Sequence, residues 1–310
     1  MDKRVQLGML FILPLIMIIH MLGIQYNEVY TAKATEYISN VIDAERSDGK
    51  VIILGDSHAF KAIDNELIGK NMLNLSYPSD SLMEMYIKLG YLLENGKKIK
   101  YLVLPADYHI FSSYRLNNNN CDFIVPLVST DIYNKIYSEN ISAVEKKLLE
   151  FNPFLLSRER TKISRWIFNK MLIDTINHDG ANMMWSDTTN EYREHQTNLR
   201  LNKQLAHTIL EKNLQLYYTQ IVELCFDNEI EIIAIRYPVS SEYSEQLKKY
   251  DIEKVNRYID NLEFVEYVDY TNVFNEYPNY FSDMDHLNDQ GSLVFTEVLI
   301  QDIKEKGIIH

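Results

Sequence analysis

Five short apolar runs, separated by longer amphipathic stretches, constrain the fold of this chain more than any other feature. They are residues 51–54, 72–75, 101–104, 230–235 and 264–268, each rich in β-branched or aromatic side chains. Runs this short and this apolar read as strands buried on both faces. Helical spacing recurs between them, near 60–69, 81–95, 204–227, 243–261 and 290–304. Strands alternating with helices connect by right-handed crossovers, which give a parallel sheet covered on both sides. The expected class is α/β: a flavodoxin-like three-layer sandwich around a five-stranded parallel sheet. In such sheets the ligand site lies at the carboxyl ends of the strands. Residues 111–200 break the rhythm and read as a mostly helical insertion. The asparagine run 117–120 inside it reads as a loose loop.

The N-terminus sets the expected compartment. Residues 7–24 are almost unbroken apolar sequence, preceded by Lys3 and Arg4 and followed first by Glu28. That length suits a spanning helix, and the flanking charges place the tip inside and everything after about residue 25 outside. A cleaved signal peptide is the rival reading, because Ala32-Lys33-Ala34 resembles a small-residue cleavage site. The run is longer than a signal-peptide core and Ala32 lies well past its end, so an uncleaved anchor is expected. The division is then a cytoplasmic tip and anchor over 1–25, a stalk or linker over 26–49, and the main domain over 50–310.

Composition narrows the function classes. With 310 residues, 46% of them apolar, the chain can bury one large core. A formal charge of -13 repels nucleic-acid phosphates, so no nucleic-acid partner is expected. The two cysteines, Cys121 and Cys225, form no C-x-x-C spacing, and Cys225 reads as a core thiol on a helix. Neither a P-loop nor a dinucleotide-binding glycine pattern occurs. No metal or cofactor is expected.

Two segments carry chemistry. The first strand runs into Gly55-Asp56-Ser57-His58 and then a helix. A serine at a tight strand-to-helix turn is placed as a nucleophile, with backbone N–H groups near a developing oxyanion. The same residues are also ordinary turn and cap chemistry. After the last strand comes Tyr280-Phe281-Ser282-Asp283-Met284-Asp285-His286-Leu287-Asn288, then another helix. A serine nucleophile needs an imidazole to take its proton and a carboxylate to fix that imidazole's tautomer. His286 and Asp283 can supply both, and a helix-capping loop is the plainer alternative.

Together these blocks resemble the first and last blocks of the SGNH/GDSL hydrolase superfamily, over about 50–110 and 205–300. The run Tyr280-Phe281-Ser282-Asp283-x-Asp285-His286-Leu287-Asn288 is especially similar to bacterial members encoded with cell-surface polysaccharide machinery, which often carry one N-terminal membrane helix. The resemblance implies a catalytic triad of Ser57, His286 and Asp283. The middle blocks depart from the family's pattern. Where it has a glycine after the second strand, this chain has Ser76-Tyr77-Pro78-Ser79. Where it has an asparagine after the third, this chain has Ala106-Asp107-Tyr108-His109. The oxyanion donors are therefore expected to be the backbone N–H groups of Ser57 and Ser79. Asp107 reads as structural or substrate-facing. His58 can orient a substrate or cap its helix, and His109 is a candidate substrate contact. Arg236 can hold an anionic group or pair with Asp107.

The expected activity is acyl transfer outside the cytoplasm, either to a glycan hydroxyl or to water. The partners implied are the membrane, a cell-surface polysaccharide or acyl donor, and a membrane-bound acyl-transfer protein. The alternative is a catalytically inert glycan-binding or scaffolding subunit on the same fold.

Overall fold

The computed structural model describes residues 35–117, 184–262 and 265–307, with isolated positions at 17, 21, 32, 120 and 124. By compactness the chain divides into two units. One, residues 1–37 and 128–181, lies almost entirely outside the described residues; the other, 38–127 and 182–310, carries the sheet.

The elements of that second unit run β1 (Val51–Ile53), α1 (Ser57–Ala62), β2 (Met72–Asn74), α2 (Leu82–Glu94), β3 (Tyr101–Pro105), α3 (Tyr114–Asn117), α4 (Asn190–Leu205), α5 (Lys212–Asp227), β4 (Glu231–Arg236), α6 (Ser241–Leu247), α7 (Glu253–Asp260), β5 (Val265–Asp269) and α8 (Asp289–Glu305). The five strands are all parallel, in the order β2-β1-β3-β4-β5. The five expected strands all occur, each within a residue of its expected ends. Successive strand residues point to opposite faces. Val51, Ile53, Val103, Ile233 and Ile235 join one apolar cluster with Ala59, Phe295 and Leu299 from α1 and α8. Ile52, Leu54, Leu102, Leu104, Ile232 and Ala234 alternate with them and are equally buried, so both faces are covered. On that second side α2 packs against α5, which also contacts β4.

Two of the expected helical stretches are divided, whereas 81–95 and 290–304 each form one helix. The stretch 204–227 divides into the end of α4 and α5, and 243–261 into α6 and α7. Part of the expected insertion belongs to the main body: Phe111 and Trp185 are buried, Trp185 inside the apolar cluster, and α4 packs on α6. Residues 118–183 lie outside the described set except Asn120 and Ile124. Part of the segment read as stalk or linker packs on the main body. Residues 38–46 are helical, Val41 and Ala44 are buried, and Lys97 Nζ donates to the Ser47 hydroxyl at 2.9 Å. The expected membrane helix over 7–24 lies outside the described residues, and among the described residues no helix is long and apolar enough to cross a membrane. Cys225 sits buried on α5 as expected, its thiol pushed up to about 12 by burial; Cys121 is outside the described residues.

Candidate active site

The β1–α1 turn presents Ser57. Gly55 is required there by proximity: a Cβ at this position would lie 2.4 Å from the Ala59 Cβ. Asp56 caps α1, its Oδ1 accepting from the His58 N–H at 3.0 Å. Ser57 becomes the first residue of the helix, half-buried at the carboxyl end of β1.

The second segment is a closed loop between β5 and α8. Phe281 and Leu287, both buried, pair across it in an antiparallel bridge, and the Ser282 N–H donates to the His286 carbonyl at 2.9 Å. Asn288 caps α8 by accepting from the Gly291 N–H at 3.0 Å and donates its own amide to Asn279 O at 2.7 Å. Gly291 lets this loop lie on the helix, since a Cβ there would sit 2.2 Å from Tyr280 O. The loop's tip carries Asp283, Asp285 and His286.

The two segments meet. His286 Nε2 lies 2.9 Å from Ser57 Oγ, and His286 Nδ1 lies 2.9 Å from both Asp283 carboxylate oxygens. With the proton on Nδ1 donated to Asp283, Nε2 is left to accept from the Ser57 hydroxyl, the arrangement general-base activation requires. The three side chains singled out in the sequence therefore form one chain of contacts through His286.

A second carboxylate, absent from the sequence expectation, shares the position of Asp283. Asp285 is buried, with Oδ1 3.3 Å from His286 Nδ1 and Oδ2 accepting from Gln204 Nε2 at 2.9 Å. Burial favours its neutral form, but His286, His58 and Arg200 outweigh burial and hold its carboxyl well below the usual range. Arg200, on α4, reaches both acids, at 3.5 Å from Asp285 and 3.6 Å from Asp283. Asp285 was visible in the loop sequence. Arg200 and Gln204 were not, because nothing in the α4 sequence marks them apart from an ordinary polar helix.

Beneath the triad lies a buried ionic network. The ring of His58 sits between two carboxylates. Nδ1 is 3.5 Å from Asp107 and Nε2 is 3.4 Å from Asp285. Burial alone would depress its pKa; Asp107 and Asp285 together raise it to about 10, so the ring is an imidazolium at neutral pH. The His109 ring lies 4.2 Å from that ring, tilted 45° to it, and contacts Asp56 through Nε2 at 2.6 Å. Burial and then the His58 charge lower its pKa to about 3, so it is neutral. Arg115 on α3 also contacts the Asp56 carboxylate. Three cations, His58, Arg115 and Arg200, face four carboxylates, Asp56, Asp107, Asp283 and Asp285.

The four residues read as candidate substrate contacts are buried. His58, Asp107, His109 and Arg236 are each at most 5% exposed. The Asp107 carboxylate accepts from the Tyr237 N–H at 3.1 Å. Arg236 does not pair with Asp107. Its guanidinium lies 3.9 Å from the centre of the Tyr108 ring and donates to Ala106 O, Tyr108 Oη and Asn256 Oδ1.

Ser79, the expected second oxyanion donor, has a left-handed φ of +73°. The Asp80 N–H donates to Tyr77 O at 3.0 Å. Tyr77-Pro78-Ser79-Asp80 is thus a type II turn, with proline second and a positive φ third, the place glycine normally fills. The Tyr77 N–H donates to Gly55 O at 3.1 Å, which ties the start of this turn to the segment bearing Ser57.

His58, Asp285 and His286 also offer ligand atoms within 4.8 Å of one another, the one candidate cation cluster among the described residues. Both His286 nitrogens already face partners, Asp283 and Ser57. At the carboxyl ends of β4 and β5 a cavity of about 470 Å³ is lined by Tyr108, Ser244, Asp269, Thr271 and Asn275, among others. Compared with protein-family models and with curated proteins, the chain gives no match.

Proposed function

We propose that this chain is a membrane-tethered, extracytoplasmic acyltransferase or esterase of the SGNH type, acting on acyl groups, O-acetyl foremost, of cell-surface glycans. The observation that carries the reading is the continuous contact from Ser57 Oγ through His286 to Asp283 at 2.9 Å per step. The sheet order, the flavodoxin-like 2-1-3-4-5 of doubly wound folds, supports it by bringing the β1 exit to the topological switch point.

In this reading Ser57 Oγ attacks the acyl carbonyl while His286 Nε2 takes the hydroxyl proton. The negative carbonyl oxygen is held by the backbone N–H groups of Ser57 and Ser79. The intermediate collapses to an acyl-serine as His286 returns the proton to the departing alcohol. A glycan hydroxyl, or water, then attacks the acyl-serine, His286 takes its proton, and Ser57 leaves with that proton restored. Asp283, backed by Asp285 and Arg200, keeps the imidazole in the required tautomer.

The second reading, an inert glycan-binding or scaffolding subunit, is favoured by the absence of the family's asparagine and by the inward turn of Asp107. The two separate in one experiment on the full chain in detergent. A fluorophosphonate probe should label the wild type, and Ser57→Ala and His286→Ala should each abolish labelling while remaining folded. A folded wild type that neither labels nor turns over an acetyl ester leaves the scaffold reading in place.

A further inference from the structure

The type II turn that carries Ser79 rests on a buried polar cluster that a purely structural account leaves unexplained. Lys88, on α2, is 1% exposed, and its ammonium donates to Asp80 Oδ2 at 2.6 Å and to Leu75 O at 2.7 Å. Asp80 is the last residue of the turn, and Leu75 lies at the exit of β2 just before it. From the other side comes Asn120, the end of the asparagine run. Its amide donates to Pro78 O at 2.8 Å and to Asp80 Oδ1 at 2.7 Å. Its backbone N–H donates to Glu84 Oε1 at 3.2 Å, and the other oxygen of Glu84 accepts from the Ser81 N–H at 2.7 Å.

An ion pair removed from water costs more to bury than aliphatic side chains of the same volume, so its presence here calls for a geometric reason. The geometry supplies one. The contacts converge on residues 78, 80 and 81, on both sides of Ser79, and leave out Ser79 itself. A non-glycine residue at positive φ persists only when its surroundings over-determine it. The Pro78–Ser79 peptide that presents the Ser79 N–H is pinned at Pro78 O by Asn120, and the turn's exit is pinned at Asp80 by Lys88 and Asn120.

We propose that Asn120 and Lys88 are positioning residues that hold the Ser79 N–H in place as an oxyanion donor, replacing the rigidity a dedicated glycine loop would give. This rests on the reading that the chain transfers acyl groups through Ser57. Neither residue touches substrate; both act through the turn. The cluster explains why an asparagine from an otherwise unremarkable run is drawn into a nearly closed polar pocket. It also accounts for the capping box of α2, where Glu84 serves the helix start and Asn120 together.

The test is steady-state turnover of an acetyl ester by the full chain, comparing the wild type with Asn120→Ala. This substitution frees Pro78 O and leaves the Lys88–Asp80 pair intact. Loss of one oxyanion donor lowers kcat by about 100- to 1,000-fold. We expect a fall in that range in kcat, with KM within about twofold and the pH profile of kcat/KM, which reports His286, unmoved. Asn120→Gln keeps the amide but lengthens its arm, and should give the same kcat-only loss should Asn120→Ala not fold. An unchanged kcat in either folded variant overturns the proposal, as does a kcat loss that vanishes at temperatures well below the melting transition. A wild type without turnover or probe labelling removes instead the acyl-transfer reading beneath it.

Discussion

His286 has two carboxylates on its Nδ1 side, and they differ in kind. Asp283 contacts the ring with both oxygens and is partly open to solvent, whereas Asp285 stands 3.3 Å away, buried and shared with His58 and Gln204. Replacing Asp283 by asparagine should lower kcat by about 100- to 1,000-fold, less than an isolated triad acid would cost, because Asp285 can still fix the tautomer. Asp285→Asn should act mainly on stability, since it leaves the His58 imidazolium buried with one fewer anion. Turnover and thermal melting of the two variants separate these outcomes. His58 and His109 give opposite pH limbs. Against an unfolded value near 6.5, the folded pKa of His58 is raised to about 10, so its stabilisation is complete below pH 6.5 and is lost as pH rises toward 10. That of His109 is lowered to about 3, so the unfolded chain binds a proton first and stability falls as pH drops from 6.5 toward 3. One such group contributes up to about 1.4 kcal/mol per pH unit within its window. Denaturant midpoints from pH 4 to 9 should therefore peak near neutrality, with the acid limb flattened by His109→Gln and the alkaline limb by His58→Gln.

The elements bring these side chains together by close approach. The loop 280–288 is laid onto the first turn of α8 only because Gly291 has no side chain, with Tyr280 O where a Cβ would be. Gly291→Ala should push the loop outward and break the 2.9 Å contact between His286 and Ser57. The expected cost is about 1–3 kcal/mol, the range for overpacking, with a larger fractional loss of probe labelling than of folded protein. Melting temperature and labelling rate measured on the same sample check it. The β2–α2 connection shows the complementary device, a left-handed Ser79 held by its neighbours where the chain lacks a glycine. In α4, Arg200 and Gln204 lie one turn apart and so address the same acids from one helix face.

At the scale of the molecule, the parallel sheet gathers the exits of β1, β2 and β3 at one edge, and the segment after β5 returns there with His286. A contact spanning 229 residues of sequence, from Ser57 to His286, is thereby closed. Much of this was legible beforehand. Strand positions followed from short β-branched runs, because a strand buried on both faces must be apolar throughout. Ser57, Asp283 and His286 stood out because the residues of a strand–turn–helix and of a short loop stay close in space wherever the chain folds. The charge of -13 set nucleic-acid phosphates aside without any coordinates. Other features were decided only by tertiary packing. Whether Asp107 and Arg236 faced a ligand or the interior depended on which groups the neighbouring strand ends offered them. That the asparagine run ends in a clamp on Pro78 and Asp80 depended on a pairing 40 residues apart. That Asp285 rather than solvent backs the triad depended on His58, Arg200 and Gln204 arriving from α1 and α4. Local sequence fixes what a segment can form and which groups it carries. Which buried charges meet is set by the long-range fold, since their partners carry no pattern of their own.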